Sequence, residues 1–186
     1  MAQGFTNIFK IPELKNRILI TLFLLAVYRV GVHVPTPGID AAALRSFFET
    51  AQGTLLGFFD MFSGGGLKNL SVFALGIMPY ITSSIIMQLL QGVIPTLERW
   101  SKEGEAGQRK LTQATRYLTL AIALLNSLGL LTVFRDSMTQ AGGSLDLISG
   151  IIIVLTLIAG TALIMWMGEL ITQRGIGNGM SLLIFA

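Results

Sequence analysis

Charged residues punctuate this chain at wide intervals, and the uncharged stretches between them are long enough to read as elements. After Arg17 an apolar run extends from Ile18 to about Val34, broken once by Arg29. Between Lys68 and Glu98 lie 29 uncharged residues, between Arg116 and Arg135 there are 18, and between Asp146 and Glu169 there are 22. A last run starts after Arg174 and reaches Ala186. About 20 apolar residues cross a bilayer as a helix, and a helix inside lipid satisfies its own backbone hydrogen bonds. The pattern therefore predicts an all-α membrane protein, a polytopic helix bundle with four full spans and the start of a fifth. Their expected bounds are about 18–35, 70–95, 114–134, 147–168 and 178–186. Pro79 falls inside the second and predicts a bend there, because it removes one backbone donor.

The N-terminus has the outline of a signal peptide, with Lys10, Lys15 and Arg17 ahead of an apolar run. No small-residue cleavage site follows, and Val34-Pro35-Thr36-Pro37-Gly38 reads as a helix stop, so the run is expected to stay as a first span. Basic residues then orient the bundle. With an inside N-terminus, residues 1–17, the 98–110 loop and the ends of the inner helices hold Lys10, Lys15, Arg17, Arg99, Lys102, Arg109, Lys110, Arg116 and Arg174, against Arg45, Lys68 and Arg135 outside. Nine against three predicts a cytoplasmic N-terminus. The 98–110 loop has four positive and three negative charges and is most simply a solvated connection. Arg29 lies near enough to the outer end of its span to snorkel.

One strongly apolar segment is too short to span. Leu55, Leu56, Phe58, Phe59, Met61 and Phe62 sit within eight residues, a helix rising about 12 Å. Gly64, Gly65 and Gly66 follow as a breaker. Such a half-helix can be a re-entrant element or an interfacial anchor lying flat. The triple glycine favours a movable, re-entrant one.

The second span has a polar stripe. At 100° per residue Ile77, Ile81, Ser84, Gln88 and Gln91 share one face, apolar at its start and polar further on. Such a face looks toward protein or water rather than lipid. It suits a constricted aqueous pore, and it equally suits helix packing with the glutamines as interhelical hydrogen-bond partners, which is the commoner arrangement. Gly175-Ile176-Gly177-Asn178-Gly179 reads as a cap and turn or as a hinge, and not as a phosphate loop, since no lysine follows it.

Composition narrows the chemistry. Of 186 residues 52% are hydrophobic and 12% charged, about half the charge of a soluble domain. No cysteine and a single histidine, His33, leave no thiolate or histidine metal site and no cofactor is implied. A dispersed net charge of +3 gives no basis for direct nucleic-acid readout. Neither does the chain carry a carboxylate pair or nucleophile–base set inside the spans, so enzymatic chemistry is not expected.

Two long gapless stretches resemble signatures of the SecY family of protein-translocation channels. They are Ser71–Leu90 (SVFALGIMPYITSSIIMQLL) and Met165–Phe185 (MWMGELITQRGIGNGMSLLIF). Lys102–Lys110 (KEGEAGQRK) and Val34–Asp40 (VPTPGID) are also similar, and the wording is bacterial in character. The resemblance implies one half of a ten-helix, inverted-repeat channel around an hourglass pore. It assigns residues 55–67 to a plug. It places Ile77, Ile81, Met180 and Ile184 in the apolar pore ring, with Met180 departing from the usual isoleucine. It puts Ser84, Gln88 and Gln91 at a lateral gate formed by the second and third helices. The implied activity is the passage of unfolded polypeptides across, and of helices into, the bacterial inner membrane. The implied partners are SecE, SecG, the SecA ATPase, the ribosome, signal sequences, nascent polypeptides and membrane lipid. An ion-coupled secondary transporter is the competing class, since it too uses inverted repeats and broken helices. It would place ionisable groups near the midplane.

Overall fold

The computed structural model describes residues 12–37, 57, 63–139 and 147–186. Among them the helices are α1 (Pro12–Val32), α2 (Met78–Val93), α3 (Pro95–Lys102), α4 (Glu105–Thr139), α5 (Leu147–Arg174) and α6 (Gly179–Phe185). Two of these, α4 over Glu105–Val133 and α5, are long and apolar enough to cross a membrane, and α2 with α3 makes a third if the bent pair is one span. In α1 the charges Glu13, Lys15, Arg17 and Arg29 confine the uncharged stretch to Ile18–Tyr28, although 21 residues rise about 32 Å.

The second span differs from its expected bounds of 70–95. Residues 63–77 form a chain of turns, and α2 starts only at Met78. Backbone conformation explains this, because Gly64, Gly65, Gly76 and Leu70 all have positive φ, which an α-helix cannot contain. Irregular backbone survives inside a membrane protein where protein satisfies it. Here Thr36 donates to the Leu70 carbonyl and Val72 to the Val34 carbonyl, both at 3.0 Å, and the Ser63 hydroxyl donates to the Ala74 carbonyl at 3.0 Å. The bridge pairing Pro35 with Ser71 ties this segment to the end of α1. Gly64 and Gly65, expected as a flexible breaker, thus stand in defined left-handed turns at φ 64° and 83°.

Pro79 does not bend α2. It sits in the first turn, where a missing N–H costs nothing. The bend comes at Ile94, which the ring of Pro95 holds extended (φ −97°, ψ 114°), so that α3 leaves α2 at 101°. The expected loop 98–110 is therefore largely helical. Its α3 turns Leu97 and Trp100 toward cover, and α3 packs on α4. At that corner the Lys110 ammonium lies 5.8 Å from the Trp100 ring centre and 3.0 Å from the Glu103 carboxylate. On the exposed side of α3, a hydrogen bond from Lys102 at 2.6 Å holds Glu98 below the ordinary carboxylate range.

Two apolar clusters organise the rest. One joins Leu67, Leu70, Ala74 and Leu75 of the turn segment to Ala123 of α4 and to Ile153 and Leu157 of α5. The other gathers Leu24, Tyr28 and Val32 of α1, Phe73 and Ile77, Ile164, Met167 and Ile171 of α5, and Leu183 of α6. Small residues let the backbones close: a Cβ on Gly160 would fall 1.9 Å from the Val72 carbonyl oxygen, and one on Gly179 would fall 2.0 Å from the Gly168 oxygen.

Candidate functional site

Between α2 and α6, floored by α4 and α5, lies a cleft of about 540 Å³. Its α2 wall is made by Tyr80, Ile81, Ser84, Ile85 and Gln88. The opposite wall is Asn178, Met180, Ser181 and Ile184, and the floor is Thr112, Glu169, Thr172 and Gln173. The 3.6-residue period produces the α2 wall, since Pro79, Ser83 and Met87 are buried and leave 81, 84, 85 and 88 facing the opening.

The α6 wall is set by local hydrogen bonds. Asn178 caps α6, its side-chain oxygen accepting from the Met180 and Ser181 amides at 3.0 and 3.5 Å. The Thr172 hydroxyl donates to the Gly168 carbonyl and accepts from the Gly179 amide, both at 2.9 Å. Thr21 of α1 accepts from the Ile176 amide at 3.1 Å and so anchors the α5–α6 turn. The glycine-rich stretch 175–179 is thus a cap and turn, with Gly177 at φ 71°.

Ile81, Met180 and Ile184 of the expected ring line the cleft together, and Ser84 and Gln88 stand beside them. Ile77 does not join the lining. As the N-cap residue of α2 it turns inward and is 2% exposed, in the core with Phe73 and Ile164. Ile81 and Met180 pack against that same core, so Ile77 backs the cleft wall instead of facing the opening. Gln91 is half-buried and outside the cleft lining. Gln88 reaches the Ser84 hydroxyl on its own helix at 3.5 Å. Of the expected plug, Leu55, Leu56, Phe58, Phe59, Met61 and Phe62 lie outside the described residues, Gly57 is helical, and Gly64–Gly66 form the turns described above.

Sequence reasoning missed the floor. Glu169 and Arg116 were expected to mark span ends, yet α5 continues to Arg174 and α4 begins eleven residues before Arg116. The Arg116 Nε donates to Glu169 Oε1 at 2.7 Å and its second nitrogen, Nη2, to Oε2, a bidentate pair between α4 and α5. The spacing of Glu169, Thr172 and Gln173 along one helix face was the available signal. Among the described residues no group of histidine, cysteine and carboxylate side chains could hold a metal ion.

Helices broken by buried irregular backbone, around a cleft lined by both apolar and polar side chains, define a polytopic membrane protein of the helix-bundle class. The fold agrees with two solved structures, each at TM-score 0.66 and 20% identity over 91% of this chain and 35% of the other: Sec61 in the canine ribosome-channel complex from the endoplasmic reticulum, and a second described as a protein conducting channel. The sequence pattern of the SecY family matches residues 71–186. Over its whole length the chain is 47% identical to the protein translocase subunit SecY of Streptomyces coelicolor and 46% identical to that of Thermus thermophilus. It spans 45% and 43% of their lengths. The chain belongs to the SecY family.

Proposed function

We propose that these residues form the N-terminal half of the pore subunit of a protein-conducting channel, which passes unfolded polypeptides across the cytoplasmic membrane and releases helices into it. The observation that carries this is the cleft itself, where Ile81 of α2 stands across from Met180 and Ile184 of α6, beside the polar Ser84 and Gln88. A passing polypeptide needs a hydrated route without side-chain recognition, while ions must be held back. An apolar constriction that dewets when empty and closes around a chain does both. Residues 55–67 are the plug in this reading, and α2 with α4 is one side of the lateral gate carrying Ser84, Gln88 and Gln91.

In this reading a partner supplies the energy, and these residues carry no nucleotide-binding loop of their own. SecA or a translating ribosome would supply it, with SecE and SecG completing the assembly. The similarity to a channel solved with a ribosome supports the ribosome as one such partner. No bond-making chemistry is asked of the cleft. An ion-coupled transporter would need titratable groups free to change state, and Arg116 and Glu169 neutralise each other.

The test is Ile81→Gly with Ile184→Gly in the full-length subunit. Removing two branched side chains widens the constriction, so the resting channel should leak ions in planar bilayers while still exporting protein. Conductance equal to the unsubstituted channel would remove these residues from the constriction.

A further inference from the structure

Beside the membrane cleft lies a second, polar cavity of about 600 Å³, lined by Glu105, Gln108, Arg109, Thr112, Gln113, Arg116 and Gln173. Thr112 and Gln173 line both spaces, Glu169 lines only the cleft, and Arg116 lines only the polar cavity. The bidentate ion pair therefore stands as the wall where the two meet. We propose that Arg116–Glu169 is a positioning clamp that fixes α4 against α5 and thereby sets the width of the neck between polar cavity and membrane cleft.

The geometry favours a clamp over an incidental contact. The partners are 53 residues apart, on separate helices, so no local helical register brings them together. Both oxygens of one carboxylate meet two nitrogens of one guanidinium, which constrains the rotation of the helices as well as their separation. The Glu169 side chain is only 13% exposed and that of Arg116 44%, so separation would strand a largely buried carboxylate without its partner. Further along the same helix pair, Ala123, Ile153 and Leu157 already hold α4 to α5 through apolar packing, while α2 packs on α4. The clamp makes these helices one body and directs any opening to the side of α2 that lines the cleft.

The experiment uses the full-length subunit in membranes, with Ser84→Cys as a probe inside the cleft and an impermeant maleimide added on the face that carries Lys102. Arg116→Gln and Glu169→Gln should each raise the labelling rate several-fold at matched abundance. The reversed pair, Arg116→Glu with Glu169→Arg, should bring it back to within about twofold of the parent. Arg116→Lys keeps the charge and loses the fork, and an intermediate rate is expected from it. Equal labelling in the parent and both glutamine variants overturns the proposal. If the glutamine variants fail to accumulate, Arg116→Lys decides alone, and parental labelling there overturns it. The export readout rests on the channel reading: the glutamine variants should pass less apolar signal sequences. Faster labelling in a subunit whose unsubstituted form supports no export would refute the channel reading and leave the clamp standing.

Discussion

Gly160 sets how the irregular segment 63–77 meets α5, and an alanine there should show what that contact is worth. Its Cβ would fall 1.9 Å from the Val72 oxygen, 2.8 Å from the carbonyl carbon and 3.1 Å from Val72 Cγ1. The two nearest are backbone atoms, which cannot swing away as a side-chain end would. The Val72 amide is bonded to the Val34 carbonyl at 3.0 Å, and Gly160 lies in the middle of α5. Relief requires a backbone shift, and overpacking of this kind costs about 1–3 kcal/mol. Alanine recovers up to about 1 kcal/mol of helix propensity, so with the contact at the severe end the net loss is about 2 kcal/mol. Gly129→Ala is the control. It lies inside α4 with no atom within 4 Å of the new carbon, and it should gain up to about 1 kcal/mol. Unfolding of the purified subunit in mixed micelles should separate the two variants by about 3 kcal/mol, on opposite sides of the parent. A Gly160→Ala midpoint equal to or above that of Gly129→Ala would refute the packing argument. Because Val72 leads directly into Ile77 and α2, the same variant should also lose export.

Gln88→Leu should raise the apolarity that a signal sequence needs, since the amide lines the cleft and, among the described residues, bonds to Ser84 of its own helix. With each central leucine contributing about 0.5 kcal/mol, the export threshold in a graded series should rise by about one or two leucines, and an unmoved threshold would return Gln88 to a packing role. A cysteine at Ser101, on the exposed face of α3, should react with an impermeant thiol reagent only after cells are opened, and labelling of intact cells would reverse the proposed orientation.

Three charge-poor runs in the sequence fall within helices, residues 18–32 in α1, 117–133 in α4 and 147–168 in α5, and the helical period puts Ile81, Ser84 and Gln88 on one face of α2. Both follow from local rules, because hydropathy sums over neighbours and side-chain direction repeats every 3.6 residues. The family signatures were legible for the same reason, as gapless local strings that carry Met180 and Ile184 with them. Where a helix starts is less local. The run from Asn69 to Leu97 has no charge to mark a break, and the hydrogen bonds from Thr36 and to Val34 support a non-helical backbone up to Ile77. That late start buries Ile77 at the N-cap and moves the bend from Pro79 to Ile94, since a proline is harmless in a first turn and disruptive to the residue before it. Tertiary structure alone joined Arg116 to Glu169. Each looks like the charged end of its own span, and their pairing depends on the antiparallel packing of α4 on α5, which no window of sequence contains.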